Sequence, residues 1–213
     1  MLENLKKEVL KANLALPKYG LVLYTSGNAS ARDQKTNLVV IKPSGVLFEK
    51  LTPENLVIVD LNGNVVEGDL KPSVDTDSHL YVYRHMKDIN GIVHTHSPYA
   101  TSFCIRGESL KIYSTTSAAM FGKEIPCSDF ATIGGEETGK EIVEKIGDNK
   151  AILMRNHGVF TVGENVTKAL KAAVLLEETA QVVHYSMLRG DLNPMPDAVV
   201  KNVYQVYHAS YGQ

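Results

Sequence analysis

Leu56-Val57-Ile58-Val59-Asp60-Leu61-Asn62-Gly63-Asn64-Val65-Val66 is the stretch that decides the fold class. Two apolar, β-branched runs flank Asn62-Gly63, a dipeptide suited to the positive φ angles of a hairpin turn. A hairpin joins antiparallel neighbours, so an all-parallel sheet is excluded. Working outward, Leu38-Val39-Val40-Ile41 and Gly91-Ile92-Val93-His94-Thr95-His96 read as further strands, as does the shorter Leu21-Val22-Leu23-Tyr24. Ala151-Ile152-Leu153-Met154 and Phe160-Thr161-Val162 follow near the other end. Leu2, Leu5, Val9 and Ala12 recur at helical spacing, and Pro17 and Gly20 end that helix. Helices are also expected over Thr76 to Met86, from Ser97-Pro98, over Glu136 to Ile146, and from Asn165 to about Leu188. No repeat or linker divides residues 1–213, which predicts one α/β domain with a largely antiparallel sheet and helices packed against it.

Composition narrows the function classes. Lys and Arg total 22 against 24 Asp and Glu, a formal charge of −2, with 44% hydrophobic residues in 213. That balance excludes a disordered chain and a free-standing nucleic-acid wrapper, while leaving room for a locally positive pocket. Cys104 and Cys127 are the only cysteines, which rules out a disulfide scaffold and reads as two buried thiols in a reducing cytoplasm. Met1 to Glu8 has no signal-peptide pattern, and the densest apolar run, Ala172 to Leu176, is far too short to span a membrane.

His94 and His96 stand two apart in a strand-like segment, so the strand's two-residue period turns both rings to one side. A shared ion needs a third ligand from elsewhere. His157 is the candidate, following a second apolar strand and preceding Gly158, which allows a tight turn beside the ion. Three neutral imidazoles suit Zn2+ with a fourth position open for catalysis. His79, His85, His184 and His208 read as structural or exposed. Asp75 opens a helix, where it is an N-terminal cap, a favourable charge at the helix dipole, or an acid–base group beside the ion. Three polar turns, Ser26-Gly27-Asn28, Lys42-Pro43-Ser44-Gly45 and Lys71-Pro72-Ser73, offer hydroxyl, amide and backbone N–H donors. Converging, they would bind a phosphate; separately, each is an ordinary turn.

The ordered set of motifs resembles the class II, zinc-dependent sugar-phosphate aldolase and epimerase family, which includes L-fuculose-1-phosphate aldolase and L-ribulose-5-phosphate 4-epimerase. The similarity runs from Ala12-Asn13-Leu14-Ala15-Leu16-Pro17 through Gly27 to Ser30, Lys42 to Gly45, Lys71 to Asp75 and Gly91 to Ser97. It continues through Ile125-Pro126-Cys127, Asn156-His157-Gly158 and Glu177-Glu178 to Tyr211-Gly212-Gln213. The resemblance implies a single three-layer αβα domain around a mixed, largely antiparallel sheet. It also implies a cyclic homotetramer with active sites at subunit boundaries. By matching positions it assigns one Zn2+ per subunit to His94, His96 and His157, and proton transfer to Asp75 and to Tyr211 from a neighbouring subunit. Gly27, Asn28, Lys42, Ser44, Gly45 and Ser73 fall on substrate or phosphate positions, with Thr115 on a substrate position. Val74 stands where the named members carry a second serine, leaving only its backbone N–H to serve phosphate.

Thr115 resembles the epimerase, as do the first helix and the terminus. Ala119, however, replaces an aspartate that serves the epimerase as a second acid–base group, and Ile125 to Gly134 resembles the aldolase. An epimerase closes the broken bond on the opposite face and needs a proton shuttle for each face. The expectation is therefore an aldolase that cleaves a phosphorylated ketose to dihydroxyacetone phosphate and a short aldehyde. Epimerisation of L-ribulose 5-phosphate is the alternative. A non-catalytic scaffold like the adducin head domain, which shares the fold, is the third reading.

Overall fold

The computed structural model describes residues 2–210. Seven strands form one sheet: β1 (Asn28–Arg32), β2 (Val39–Ile41), β3 (Val57–Val59), β4 (Val65–Glu67), β5 (Gly91–Thr95), β6 (Ala151–Leu153) and β7 (Val159–Gly163), in the order β4-β3-β2-β1-β5-β7-β6. All six ladders are antiparallel. An isolated bridge between Cys127 and Leu153 adds a parallel contact, which makes the sheet mixed. The β3–β4 hairpin is wider than its Asn-Gly pair suggests. The Asp60 carboxylate accepts the N–H groups of Asn62 and Asn64 at 2.8 and 2.9 Å, and Gly63 takes φ 89°.

Among the described residues seven α-helices cover the sheet: α1 (Glu3–Lys18), α2 (Thr76–His85), α3 (Pro98–Arg106), α4 (Thr115–Phe121), α5 (Glu137–Lys145), α6 (Val166–Met187) and α7 (Asp197–Ser210). Strand alternation divides the apolar residues between two faces. Val39, Ile41, Val57, Val59, Ile92 and Phe160 pack under α2 and α5 with Leu80, Tyr83 and Ile142. Val40, Ile58 and Val93 pack on the opposite side with Val9 and Leu16 of α1 and Ala169 and Ala173 of α6. Helices α3, α4 and α7 complete that side against Leu176 and Val183 of α6. The result is the expected three-layer αβα arrangement.

Two stretches depart from the sequence reading. Leu21–Tyr24 is not a strand. The sheet order gives β1 the neighbours β2 and β5, so no edge is free beside it, and Tyr24 adopts φ 59°, outside strand geometry. Leu21 and Val22 are buried as a loop packed under α1. The central strand is instead Asn28-Ala29-Ser30-Ala31-Arg32, whose small residues carry little strand propensity. Asn13 of α1 anchors it by two bonds to the Ala29 backbone: Oδ1 accepts the N–H at 2.9 Å and Nδ2 donates to the carbonyl at 3.1 Å. Of the two cysteines, Cys104 is buried and Cys127 half-buried.

Candidate metal centre

Strand β5 delivers His94 within its ladder and His96 one residue beyond its end. His94 pairs with Asn28 of β1 on one side and Phe160 of β7 on the other, and the 19° stack of its ring on Phe160 sets one wall of the site. Its Nδ1–H donates to the Val159 carbonyl at 3.0 Å, which leaves the Nε2 lone pair facing the site. His96 Nε2 lies 2.9 Å from that nitrogen. His157 enters from the turn between β6 and β7. Asn156 at φ 58° makes the corner, and Met154 closes the loop by donating its N–H to the Gly158 carbonyl at 2.8 Å. One ligand nitrogen from each of the three histidines lies within 4.8 Å of the other two. Burial drives the His94 imidazole down to about 3, against the opposing pull of Asp75, and lowers His96 and His157 as well. Three neutral rings with converging lone pairs form a cluster capable of coordinating a metal ion.

Gly158 is required by this closeness. A Cβ there would stand 2.5 Å from the Thr95 carbonyl and 2.6 Å from the His96 ring. Substituting Gly158→Ala is therefore expected to push His96 off the shared point and weaken divalent-metal affinity about ten-fold or more. Chelator competition measures this directly, and an unchanged affinity would show that the ring has room to move.

The polar turns meet beside the histidines. Ser44 N–H donates to the Lys71 carbonyl at 2.8 Å and Ser73 N–H to the Lys42 carbonyl at 3.1 Å, zipping the two Lys-Pro-Ser turns together. Asn28 Nδ2 donates to Ser73 Oγ at 3.1 Å and to Asp75 Oδ2 at 2.7 Å, tying in the third. Gly27, at φ 79°, lets the chain pass where a Cβ would lie 2.8 Å from the His94 carbonyl. Gly45, at φ 68°, is exposed. Lys42 is almost wholly buried; its ammonium donates to the Thr25 and Pro43 carbonyls and lies over the Phe48 ring. Burial brings it down to about 8, opposed by the Asp75 charge. Val74 is 58% exposed between Ser73 and Asp75.

Asp75 precedes α2 but makes no side-chain cap bond there, so it does not cap that helix. Burial pushes its carboxyl up, yet His94, His79 and the Asn28 amide outweigh that and hold it below the ordinary carboxylate value. His79, one turn along α2, is fully buried in keeping with a structural part: its Nδ1 pairs with Ser30 Oγ at 2.7 Å, which meets Tyr83 OH at 2.8 Å. Sequence reasoning misses this network behind Asp75, although the i, i+4 spacing of Asp75 and His79 places both on one helix face. Thr115 is exposed at the start of α4, a helix packed on α6 and α7. Tyr211 lies outside the described residues.

Residues 7–184 match the family model for the Class II Aldolase and Adducin N-terminal domain. The chain belongs to this family. Among curated relatives, L-ribulose-5-phosphate 4-epimerase UlaF of Salmonella typhi is 38% identical over 227 aligned positions covering 100% of both chains, as is the Salmonella paratyphi C protein of that name. Among solved structures, an L-fuculose 1-phosphate aldolase superposes with a TM-score of 0.91, 29% identity and 96% coverage of each chain. The L-fuculose-1-phosphate aldolase of Thermus thermophilus gives 0.77 at 29% identity, covering 90% of this chain and 98% of that one. With its histidine cluster intact, this class II aldolase-family chain is an enzyme of the aldolase/epimerase superfamily. Among the described residues, no helix is long and apolar enough to cross a membrane.

Proposed function

We propose that the chain is a divalent-metal-dependent sugar-phosphate 4-epimerase that breaks the C3–C4 bond of a phosphorylated ketose and closes it again on the opposite face. The observation that carries the bond-breaking step is the meeting of His94, His96 and His157 beside Asp75 and the zipped polar turns. The direction after cleavage is supported by the full-length relatives, which are named L-ribulose-5-phosphate 4-epimerases. This favours the alternative over the aldolase expected from Ala119.

The residues fit a zinc-type ion: the His94 tautomer is fixed by the Val159 carbonyl, and the His94 and His96 Nε2 atoms face one another 2.9 Å apart. Such an ion, when bound, supplies electrostatic stabilisation of the negative charge that develops as the carbon–carbon bond breaks. The protein does the remainder. Backbone N–H groups at Gly45 and Val74, with the Ser44 and Ser73 hydroxyls and the Lys42 ammonium, hold the phosphate. Asn28 orients Asp75 through its 2.7 Å bond. Asp75 takes the proton from the C4 hydroxyl during cleavage, and a group on the opposite side gives one to the C4 oxygen after the aldehyde has turned over. With alanine at 119, Asp75 serves the face next to the histidines and Tyr211 of a neighbouring copy in a homotetramer serves the other.

Aldol cleavage with release of both fragments is the second reading, favoured by Ala119 and by the close superposition on an L-fuculose 1-phosphate aldolase. There, Asp75 would protonate C3 of the departing enediolate. Incubation of the metal-loaded protein with L-ribulose 5-phosphate and with a ketose 1-phosphate separates the two readings. Epimerisation predicts D-xylulose 5-phosphate from the first substrate without accumulation of free aldehyde. Stoichiometric dihydroxyacetone phosphate and aldehyde from the 1-phosphate, with no D-xylulose 5-phosphate, would replace it by the aldolase.

A further inference from the structure

Helix α3 begins immediately after His96, and its first turn is capped from outside. Ser97 occupies the N-cap position but makes no cap bond; its hydroxyl is buried and finds no partner among the described residues. Pro98 has no N–H to satisfy. The two donors that an N-cap side chain ordinarily serves are those of the second and third helical residues, Tyr99 and Ala100. Both are taken by one carboxylate from the middle of α6: Tyr99 N–H donates to Glu177 Oε1 at 3.0 Å and Ala100 N–H to Glu177 Oε2 at 2.9 Å. Glu177 is 9% exposed and 77 to 78 residues away in sequence, so this bidentate clamp is a tertiary one.

The consequence falls on His96. His94 is aimed by its bond to the Val159 carbonyl and by its stack on Phe160. Among the described residues His96 has no such anchor: its ring meets the rings of His94 and His157, and its Nε2 faces His94 Nε2 at 2.9 Å. Its orientation is therefore set by the backbone between the end of β5 and the first turn of α3. That turn is held by Glu177, whose position at a helix N-terminus also matches the sign of the helix dipole.

We infer that Glu177 is a positioning residue for His96: by holding both N–H groups at the start of α3, it fixes the turn that aims the third imidazole at the shared ion. The inference rests on the metal-dependent reading given above. In Glu177→Gln the shape is kept, but the side-chain NH2 replaces an acceptor and opposes one of the two backbone donors. The comparison variant is Asn165→Ala, which removes the cap on Lys168 N–H at the start of the same α6 and lowers stability by a loss of the same kind.

The full-length protein, stripped of metal and titrated with Zn2+ against a chelator and with Co2+ by visible absorption, supplies the test. Glu177→Gln is expected to bind Zn2+ about 10- to 100-fold more weakly and to shift the Co2+ d–d bands. Asn165→Ala should keep the parent's affinity and spectrum despite its lower thermal midpoint. Parent-like affinity and spectrum in Glu177→Gln would overturn the inference, and so would an equal loss in Asn165→Ala, which would make the effect one of general stability. A parent protein that takes up neither ion would instead overturn the metal-dependent reading on which it rests, and the inference with it.

Discussion

Replacing His157 with alanine is expected to lower kcat/KM by about three orders of magnitude, through loss of bound metal rather than loss of the fold. A catalytic ion stabilises developing charge by several kcal/mol, and each 1.36 kcal/mol is a factor of ten in rate. With only His94 and His96 remaining, that stabilisation goes. Of the three proposed ligands, His157 is the one whose removal disturbs the least. It is half-buried in the β6–β7 turn, and its side chain makes ring contacts to His94, His96 and Phe160 at 4.8, 5.1 and 6.4 Å, while its backbone N–H bond to the Met154 carbonyl survives the substitution. His94 would be the poorer choice, since its loss also breaks the bond to the Val159 carbonyl inside the sheet. The expected pattern is a metal content near zero after dialysis, a metal-free thermal midpoint close to that of the metal-free parent, and activity at the three-order deficit. A variant that keeps its metal and its turnover would remove His157 from the site.

The parts of this site that were legible in the sequence are those whose geometry follows from local periodicity. His94 and His96 share a face because a strand has a period of two, and His157 was placed by the apolar strand before it and the glycine after it. The sheet's antiparallel character was legible in Asn62-Gly63. What stayed hidden depends on contacts across the fold. Burial of Leu21 and Val22 imitates a strand, yet the sheet order gives them no edge to join. Asn28-Ala29-Ser30-Ala31-Arg32 looks like a loop because its small residues reflect a crowded centre and not a propensity. The three polar turns shared only donor chemistry in the sequence; their convergence appears in the bonds Ser44–Lys71, Ser73–Lys42 and Asn28–Ser73. Glu177 gave no local sign of its task, since the groups it holds lie on another helix.

Asp75→Asn is expected to separate proton transfer from metal binding, with kcat reduced about 10²- to 10⁴-fold and the metal retained. The substitution keeps shape and removes only the ability to carry a proton. The Asn28 Nδ2 bond to Oδ2, 2.7 Å in the parent, can be kept if the new amide turns its oxygen toward Asn28. No helix cap is lost, because the Asp75 side chain makes none; the cap-like N–H contacts at this corner run through Ser73 instead, whose Oγ accepts the Asp75 N–H at 3.3 Å. Stability should therefore change little, and a fall in thermal midpoint matching the fall in activity would return Asp75 to a structural role. Loss of metal together with activity would make it a ligand and not a proton carrier. The informative pattern is the third: full metal content, parent-like KM for the phosphorylated ketose, and slow turnover. It follows from the proposed division of labour, in which the histidines would hold the ion, the zipped turns would hold the phosphate, and the buried Asp75 carboxylate beside them is left for the proton.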